Sequence, residues 1–309
     1  MKVSLQLPTH HLERFDELCG IEAITELSVA AEDAGFDAVF VTEHPIPADR
    51  WLATGGHHAL DPFVALAVAA AATTRIRLHT NLCIPAYRNP FLLAKTVATL
   101  DALSKGRVIL GVGAGYMEDE FAALGVAFGE RNALIDEAIR AMRAAWTGES
   151  VVLRGAHFDA TGNTALPVPA QPGGPPIWIG GNARRAMRRA VELADGWAPM
   201  PSPARASRRL HTPGLETLDE LGARIEELHT MARDVGRDAP LDVVFMPPGL
   251  DMFEDGPVGD AASIVDGIRA LAVVGVTYVT VTVPGHTRAQ LLANLDTFRD
   301  EVLPQIEVL

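Results

Sequence analysis

Cysteine, aromatic side chains and positive charge are all scarce in this chain, and each shortage removes a class of answer. The two cysteines among 309 residues, Cys19 and Cys83, lie far apart and match no thiol or metal spacing. Neither a disulfide scaffold nor a zinc module is therefore expected, and a chain this long buries about three-quarters of its unfolded surface without such staples. Lys and Arg total 26 against 39 Asp and Glu, a formal net charge of -13. That charge opposes a polyphosphate backbone, so nucleic acid is not an expected partner. Long hydrophobic runs are missing too: Pro62–Ala72 is too short to span a bilayer. The opening MKVSLQLPTH alternates and then turns polar, unlike a signal peptide. The expectations are a cytoplasmic setting and no membrane partner. Disorder is excluded by a hydrophobic content of 48%.

What the chain does have is ordered punctuation, with 27 Gly and 21 Pro. Short β-favouring runs recur at 3–7, 37–44, 76–84, 107–115, 177–180, 196–200, 241–246 and 276–281, each followed by an alanine- and leucine-rich stretch. Helices are expected over 21–34, ending at Gly35; over 61–72, with Asp61 as N-cap and Pro62 at N1; and over 90–103, behind Asn89 and Pro90. Further helices are expected at 118–124, 132–146, 184–193, 215–235, 261–274 and 288–302. Eight strands alternating with helices predict a parallel sheet covered by helices, and eight units in this length predict a (β/α)8 TIM barrel occupying 1–309 as one domain. An open doubly wound sheet would need edge strands, and none of the eight has an edge strand's charge or proline. One excursion, 147–175, lies between the fourth and fifth barrel strands; its 151–162 segment reads as a small hairpin and 166–176 as loop.

In such a barrel the chemistry sits at the C-terminal mouths of the strands. The second mouth offers Glu43 and His44, and a histidine there can exchange a proton at neutral pH. His10 and His11 are candidates for the pocket rim, and His57 and His58 for a lid. No pair has metal-ligand geometry: Glu43 and His44 are adjacent, unlike the helical H-E-x-x-H arrangement. The third mouth gives Thr80 and Asn81. The fourth gives Gly111, Gly113, Gly115 and Tyr116, a glycine run that lets something flat approach the backbone; it is no dinucleotide fingerprint, because that motif follows a first strand. The fifth gives Gly180, Gly181 and Asn182, leading into a helix that carries Arg184, Arg185, Arg188 and Arg189. Free N–H groups at that helix start, with Arg184 and Arg185 beside them, predict an anion site. Arg188 and Arg189, a turn deeper, are expected in solvent or paired with acidic helices. Trp51, Tyr87, Tyr116, Phe158, Trp178 and Trp197 are candidate pocket walls, although turn chemistry gives Tyr87 and Arg88 a structural role.

Segments 41–44 (VTEH), 87–126 (YRNPF…GVGAGYMEDEF…) and 175–200 (PPIWIGGNARRAM…) carry a family likeness. The chain resembles the luciferase-like superfamily, most closely its subgroup dependent on coenzyme F420, an 8-hydroxy-5-deazaflavin. The resemblance implies a tricyclic ring in the barrel mouth, a non-prolyl cis peptide within Thr80–Asn81–Leu82 behind it, the 111–116 glycine run alongside, and the phosphate at Gly181 and Asn182. It implies hydride transfer between deazaflavin and a small organic substrate, an alcohol or a reducible double bond. His44 would be the proton carrier and Glu43 its tuning group, with the chain working as a homodimer. Relatives commonly read GGNSP where this chain has Gly180–Gly181–Asn182–Ala183–Arg184. The missing serine shifts phosphate binding toward backbone N–H groups, Asn182 and arginine, which favours the deazaflavin's longer, more anionic tail or else weakens cofactor binding. The alternative implied is an FMN-dependent monooxygenase served by a flavin reductase and using molecular oxygen. A non-catalytic flavin-binding protein is a third class.

Overall fold

The computed structural model describes residues 1–247 and 260–307. The local signals form the elements expected of them. Helix Ile21–Ala34 ends at Gly35, whose φ of 96° lies where a side chain is disfavoured. Asp61 accepts from the Phe63 and Val64 N–H groups, and Asn89 from that of Phe91, so both caps satisfy donors that a helix start leaves open.

The strands are β1 (Lys2–Gln6), β2 (Ala38–Val41), β3 (Arg77–Cys83), β4 (Val108–Val112), β5 (Val151–Arg154), β6 (Asp159–Asn163), β7 (Ile177–Gly180), β8 (Gly196–Ala198), β9 (Asp242–Phe245) and β10 (Tyr278–Val281). Among the described residues, β1–β4 and β7–β10 form a closed parallel barrel, joined where Lys2 meets Tyr278 and Ser4 meets Ala38. Helical segments and the antiparallel β5–β6 hairpin fill the connection between β4 and β7. Two expected helices depart from their bounds by more than one residue. The 215–235 helix starts at Leu218 behind a Thr217–Glu220 capping box, because Leu215 bridges back to Ser202. The last helix is α-helical only to Thr297 and continues as a π-helix over Phe298–Val302.

The barrel interior is plugged by Ala38, Ile109, Trp178, Ala198, Val244 and Tyr278. Trp178 and Trp197 are fully buried. The Trp178 indole stands edge-on to His79 and Tyr278 and donates to Asp242, while Trp197 donates to the Gly181 carbonyl. Both are packing residues, which corrects their expected place on the pocket wall: Trp178 shares the inward face with Gly180 but lies one layer deeper. Among the described residues, no helix is long and apolar enough to cross a membrane, and no cluster of His, Cys, Asp or Glu could hold a metal ion.

Candidate functional site

Strand direction fixes where the site forms. At the mouth of β3 the pairing with β4 shifts between Thr80 and Cys83, and the Asn81–Leu82 peptide is cis, within the tripeptide where it was expected. Thr80 anchors this irregularity by donating from Oγ1 to the Gly111 carbonyl at 2.9 Å. The glycines opposite exist because of it. A Cβ on Gly111 would meet the Thr80 carbonyl oxygen at well under 3.0 Å, and one on Gly180 would strike Leu82 Cδ1 equally hard. At Gly113 the nearest atom would be Leu82 Cδ1 at 3.2 Å. The displaced β3 backbone, the Leu82 side chain and the three glycines packed on them together form a cradle.

Above the cradle lies a cavity of about 380 Å³, within the range of small-ligand sites. Glu43, His44, Asn81, Gly113, Gly115, Tyr116, Gly180, Gly181 and Arg185 line it. Thr80 and Gly111 lie beneath the lining and build its floor. His44 is held between Trp51, with ring centroids 4.7 Å apart, and His57, edge-on at 4.9 Å. Burial lowers the titration of His57, and it pulls His10 down to about 3, so burial disfavours a positive charge on both.

Glu43 does not face His44 as its partner. It is 4% exposed, ion-paired with Arg88, and it accepts the Ile84 N–H at 2.6 Å. The carboxylate against His44 belongs to Glu120, whose Oε2 is 3.5 Å from Nδ1 and accepts the Tyr87 hydroxyl at 3.0 Å. Burial, reinforced by Glu120, pushes the Tyr87 phenol far above its ordinary range, and burial with Glu120 raises Tyr116 to about 12. Both tyrosines are neutral donors at physiological pH. Tyr87 thus belongs to the site, beyond its role in the turn.

The helix start after β7 also differs from expectation. Arg184 is exposed and bonded to Glu227 at 2.7 Å, outside the cavity lining. The Asn182 side chain is fully engaged, donating to the Met200 and Pro213 carbonyls and accepting the Met200 N–H, while its own N–H goes to Thr212. It ties the 199–213 loop to the helix, which leaves it no capacity for a phosphate. Arg185 remains in the lining, joined by Arg189 and by Arg131. Arg189 is 4% exposed and ion-paired with Asp136, which also lies 3.5 Å from Arg185. Arg131 lies over the Phe128 ring at 3.8 Å and has no carboxylate partner among the described residues. Burial and the charge of Arg185 lower its titration. Asp136 thus serves two of the three guanidinium groups at this margin and Arg131 none, an excess of positive charge that suits an anion.

The cover over the mouth comes from Pro199–Pro201, Leu210, His211 and Thr212, with His57 on the opposite side. No residue of 147–175 lines this cavity, so the excursion is not its lid. Its hairpin packs instead on the Arg131–Ala145 helix, with His157 bonded to Glu130 at 3.1 Å. Arg131, Glu120 and the Leu210–Thr212 part of the loop escaped sequence reasoning because none lies at a strand end. The signal available for Glu120 was its place next to Phe121, the apolar end of the acidic run Glu118–Asp119–Glu120 that opens this short helix.

Residues 1–248 match the family described as luciferase-like monooxygenase. An uncharacterised protein of Mycobacterium tuberculosis is 36% identical over 188 residues, which cover 55% of this chain and 65% of the relative. The match thus spans less than two thirds of that relative's length. A Nakamurella multipartita protein named F420-dependent glucose-6-phosphate dehydrogenase is 29% identical over 334 residues, covering 95% of each chain. Among solved structures, the monooxygenase RslO1 from Streptomyces bottropensis superposes with a TM-score of 0.78 at 21% identity, over 98% of this chain and 99% of that one. Identity that low speaks for the fold alone.

Proposed function

The chain belongs to the luciferase-like monooxygenase family, and from that premise we propose that it is an oxidoreductase moving a hydride between coenzyme F420 and a small organic substrate. The residues present fit the group. The glycine cradle against Leu82 accepts a flat ring, and the buried Thr42 Oγ1 beside the cavity has no protein partner. The observation that carries the choice of F420 over FMN is the margin of Arg131, Arg185 and Arg189, where Asp136 pairs with Arg185 and Arg189 and Arg131 has no carboxylate partner among the described residues. That surplus suits the deazaflavin's longer, more anionic tail.

When bound, the deazaflavin supplies a carbon centre that carries hydride and reacts poorly with oxygen; the protein supplies placement and protons. His44 is the group that takes a proton from a substrate alcohol, or returns one to a substrate being reduced. Glu43 and Arg88 brace the β2 mouth against the end of β3, which holds the cradle in register. The 199–212 loop and His57 narrow the opening and exclude water, a condition for efficient transfer.

The test is to titrate the protein separately with F420 and FMN, then follow dissolved oxygen after reduction. Tight F420 binding, weak FMN binding and stable oxygen levels are expected. Tight FMN binding with rapid oxygen consumption and no F420 affinity would overturn the reading in favour of a monooxygenase.

A further inference from the structure

Glu120 is a buried carboxylate with an unusual set of neighbours. It is 1% exposed, on the short helix Glu118–Ala123 that follows β4. Among the described residues no arginine or lysine pairs with it, in contrast to Glu43, which has Arg88. Burying a carboxylate away from a fixed cation is costly unless hydrogen bonds compensate. Here Oε1 accepts the Ile46 N–H at 3.3 Å and Oε2 accepts the Tyr87 hydroxyl at 3.0 Å. These contacts reach the loops that follow β2 and β3, so one side chain joins three strand mouths.

The remaining neighbour is His44 Nδ1, 3.5 Å from Oε2. At that distance it is a charge contact rather than an aligned hydrogen bond. Nδ1 is buried and has no other polar partner. An ionised carboxylate only accepts hydrogen bonds, so the imidazole nitrogen facing it must be the one that carries the hydrogen. The other nitrogen, Nε2, then keeps a lone pair. Trp51, His57 and Tyr116 hold the ring plane on its other sides. The Arg50–Asp119 ion pair nearby in sequence is largely exposed and does not replace Glu120.

We propose that Glu120 is the positioning residue of this site: it fixes His44 in the Nδ1–H tautomer and leaves Nε2 as the nitrogen that exchanges a proton in the cavity. The final clause rests on the hydride-transfer reading; the tautomer itself does not. Nitrogen-15 NMR of histidine-labelled full-length protein at neutral pH reads the tautomer, with His44 assigned by the signal lost in His44→Asn. The Nδ1–H form is expected in the wild type, and a mixture of tautomers in Glu120→Gln. With F420 and a substrate alcohol, Glu120→Gln is expected to lose about 10²-fold in kcat with KM changed less than about threefold, within the span of general acid–base catalysis. Tyr87→Phe keeps the carboxylate and is expected to retain the wild-type tautomer, so it serves if Glu120→Gln fails to fold. An Nε2–H signal in the wild type overturns the proposal, and so does an unchanged tautomer in folded Glu120→Gln or a changed one in Tyr87→Phe. The expected tautomers without F420-dependent turnover would uphold Glu120's positioning role and overturn the hydride-transfer reading instead.

Discussion

Replacing the cradle glycines by alanine one at a time should give losses ordered by what each new methyl group meets. At Gly111 it meets the Thr80 carbonyl oxygen well inside 3.0 Å, with His79 Nε2 at 3.0 Å and Leu82 Cδ2 at 3.1 Å. Thr80 is fully buried and its strand is paired on both edges, so its carbonyl cannot retreat without disturbing the barrel. Overpacking of this kind costs about 3 kcal/mol, the upper part of the usual range. At about 2 °C per kcal/mol for a chain of this size, Gly111→Ala should melt roughly 6 °C below the wild type. Gly180→Ala collides only with the flexible Leu82 side chain, which borders the cavity and can move into it. Its cost to stability should be about 1 kcal/mol, the lower end for overpacking. The displaced leucine should weaken cofactor binding more than it lowers the melting point. At Gly113, one residue beyond β4, the contacts are 3.2 and 3.4 Å to side-chain ends, and a gain of up to about 0.5 kcal/mol from replacing a glycine offsets them. Its melting point should stay within about 2 °C of the wild type. Circular dichroism melts and cofactor titration measure both effects. A Gly111→Ala protein as stable as Gly113→Ala would refute the reasoning, because it would mean the β3 backbone yields freely.

Neighbouring arginines should separate cleanly in cofactor titration. Arg185→Ala and Arg131→Ala should each raise the cofactor dissociation constant about tenfold, as expected for loss of a charge-assisted contact. Arg184→Ala should leave it unchanged, because Arg184 pairs with Glu227 outside the lining; equal effects at 184 and 185 would misplace the anion site. Stability should fall in mild acid. Burial holds His79 and His10 near a pKa of about 3 in the folded protein, against an ordinary 6.5. The unfolded chain therefore binds protons first, so this stabilisation is full above pH 6.5 and is lost as the pH falls toward 3. The limiting slope is about 1.4 kcal/mol per pH unit for each histidine. Urea midpoints at pH 7.5 and pH 5 measure it, and equal midpoints would show that neither histidine is neutral by burial.

The elements most readable from the sequence are those whose cause is local. Asp61 before Pro62, Asn89 before Pro90, and Gly35 after a run of alanines act within a few residues, and all cap where they were expected. Leu215 fails as a helix start because its hydrogen bonds go to Ser202, a partner across a loop that no window of sequence contains. The same division runs through the site. His44, Asn81, Gly113 and Gly180 line the cavity because a parallel barrel points every strand end at one mouth. Thr80, Gly111 and Trp178 were assigned the right strands at the wrong depth: alternation gives a residue's face, and only the closed barrel decides which layer is floor and which is plug.

Helix-borne groups are harder still, and Arg184 and Arg185 show why. Adjacent helical residues point about 100° apart, since 3.6 residues complete a turn. One of two identical side chains therefore enters the cavity and the other meets Glu227 on a neighbouring helix. Nothing in the pair Arg-Arg distinguishes them; the choice depends on how the helix is rotated against the barrel, which the buried Ala186, Met187 and Ala190 fix by their packing. Asn182 failed as a phosphate ligand for a related reason. Its amide has enough donors and acceptors for either task, and the Met200 and Pro213 backbone, distant in sequence, engages them all. Glu43 and Glu120 divide in the same way: the glutamate adjacent to His44 in sequence binds Arg88, and the one 76 positions away faces the imidazole. For a proton carrier the relevant neighbour is the one that meets its second nitrogen, and adjacency in the chain directs consecutive strand-end side chains apart rather than together.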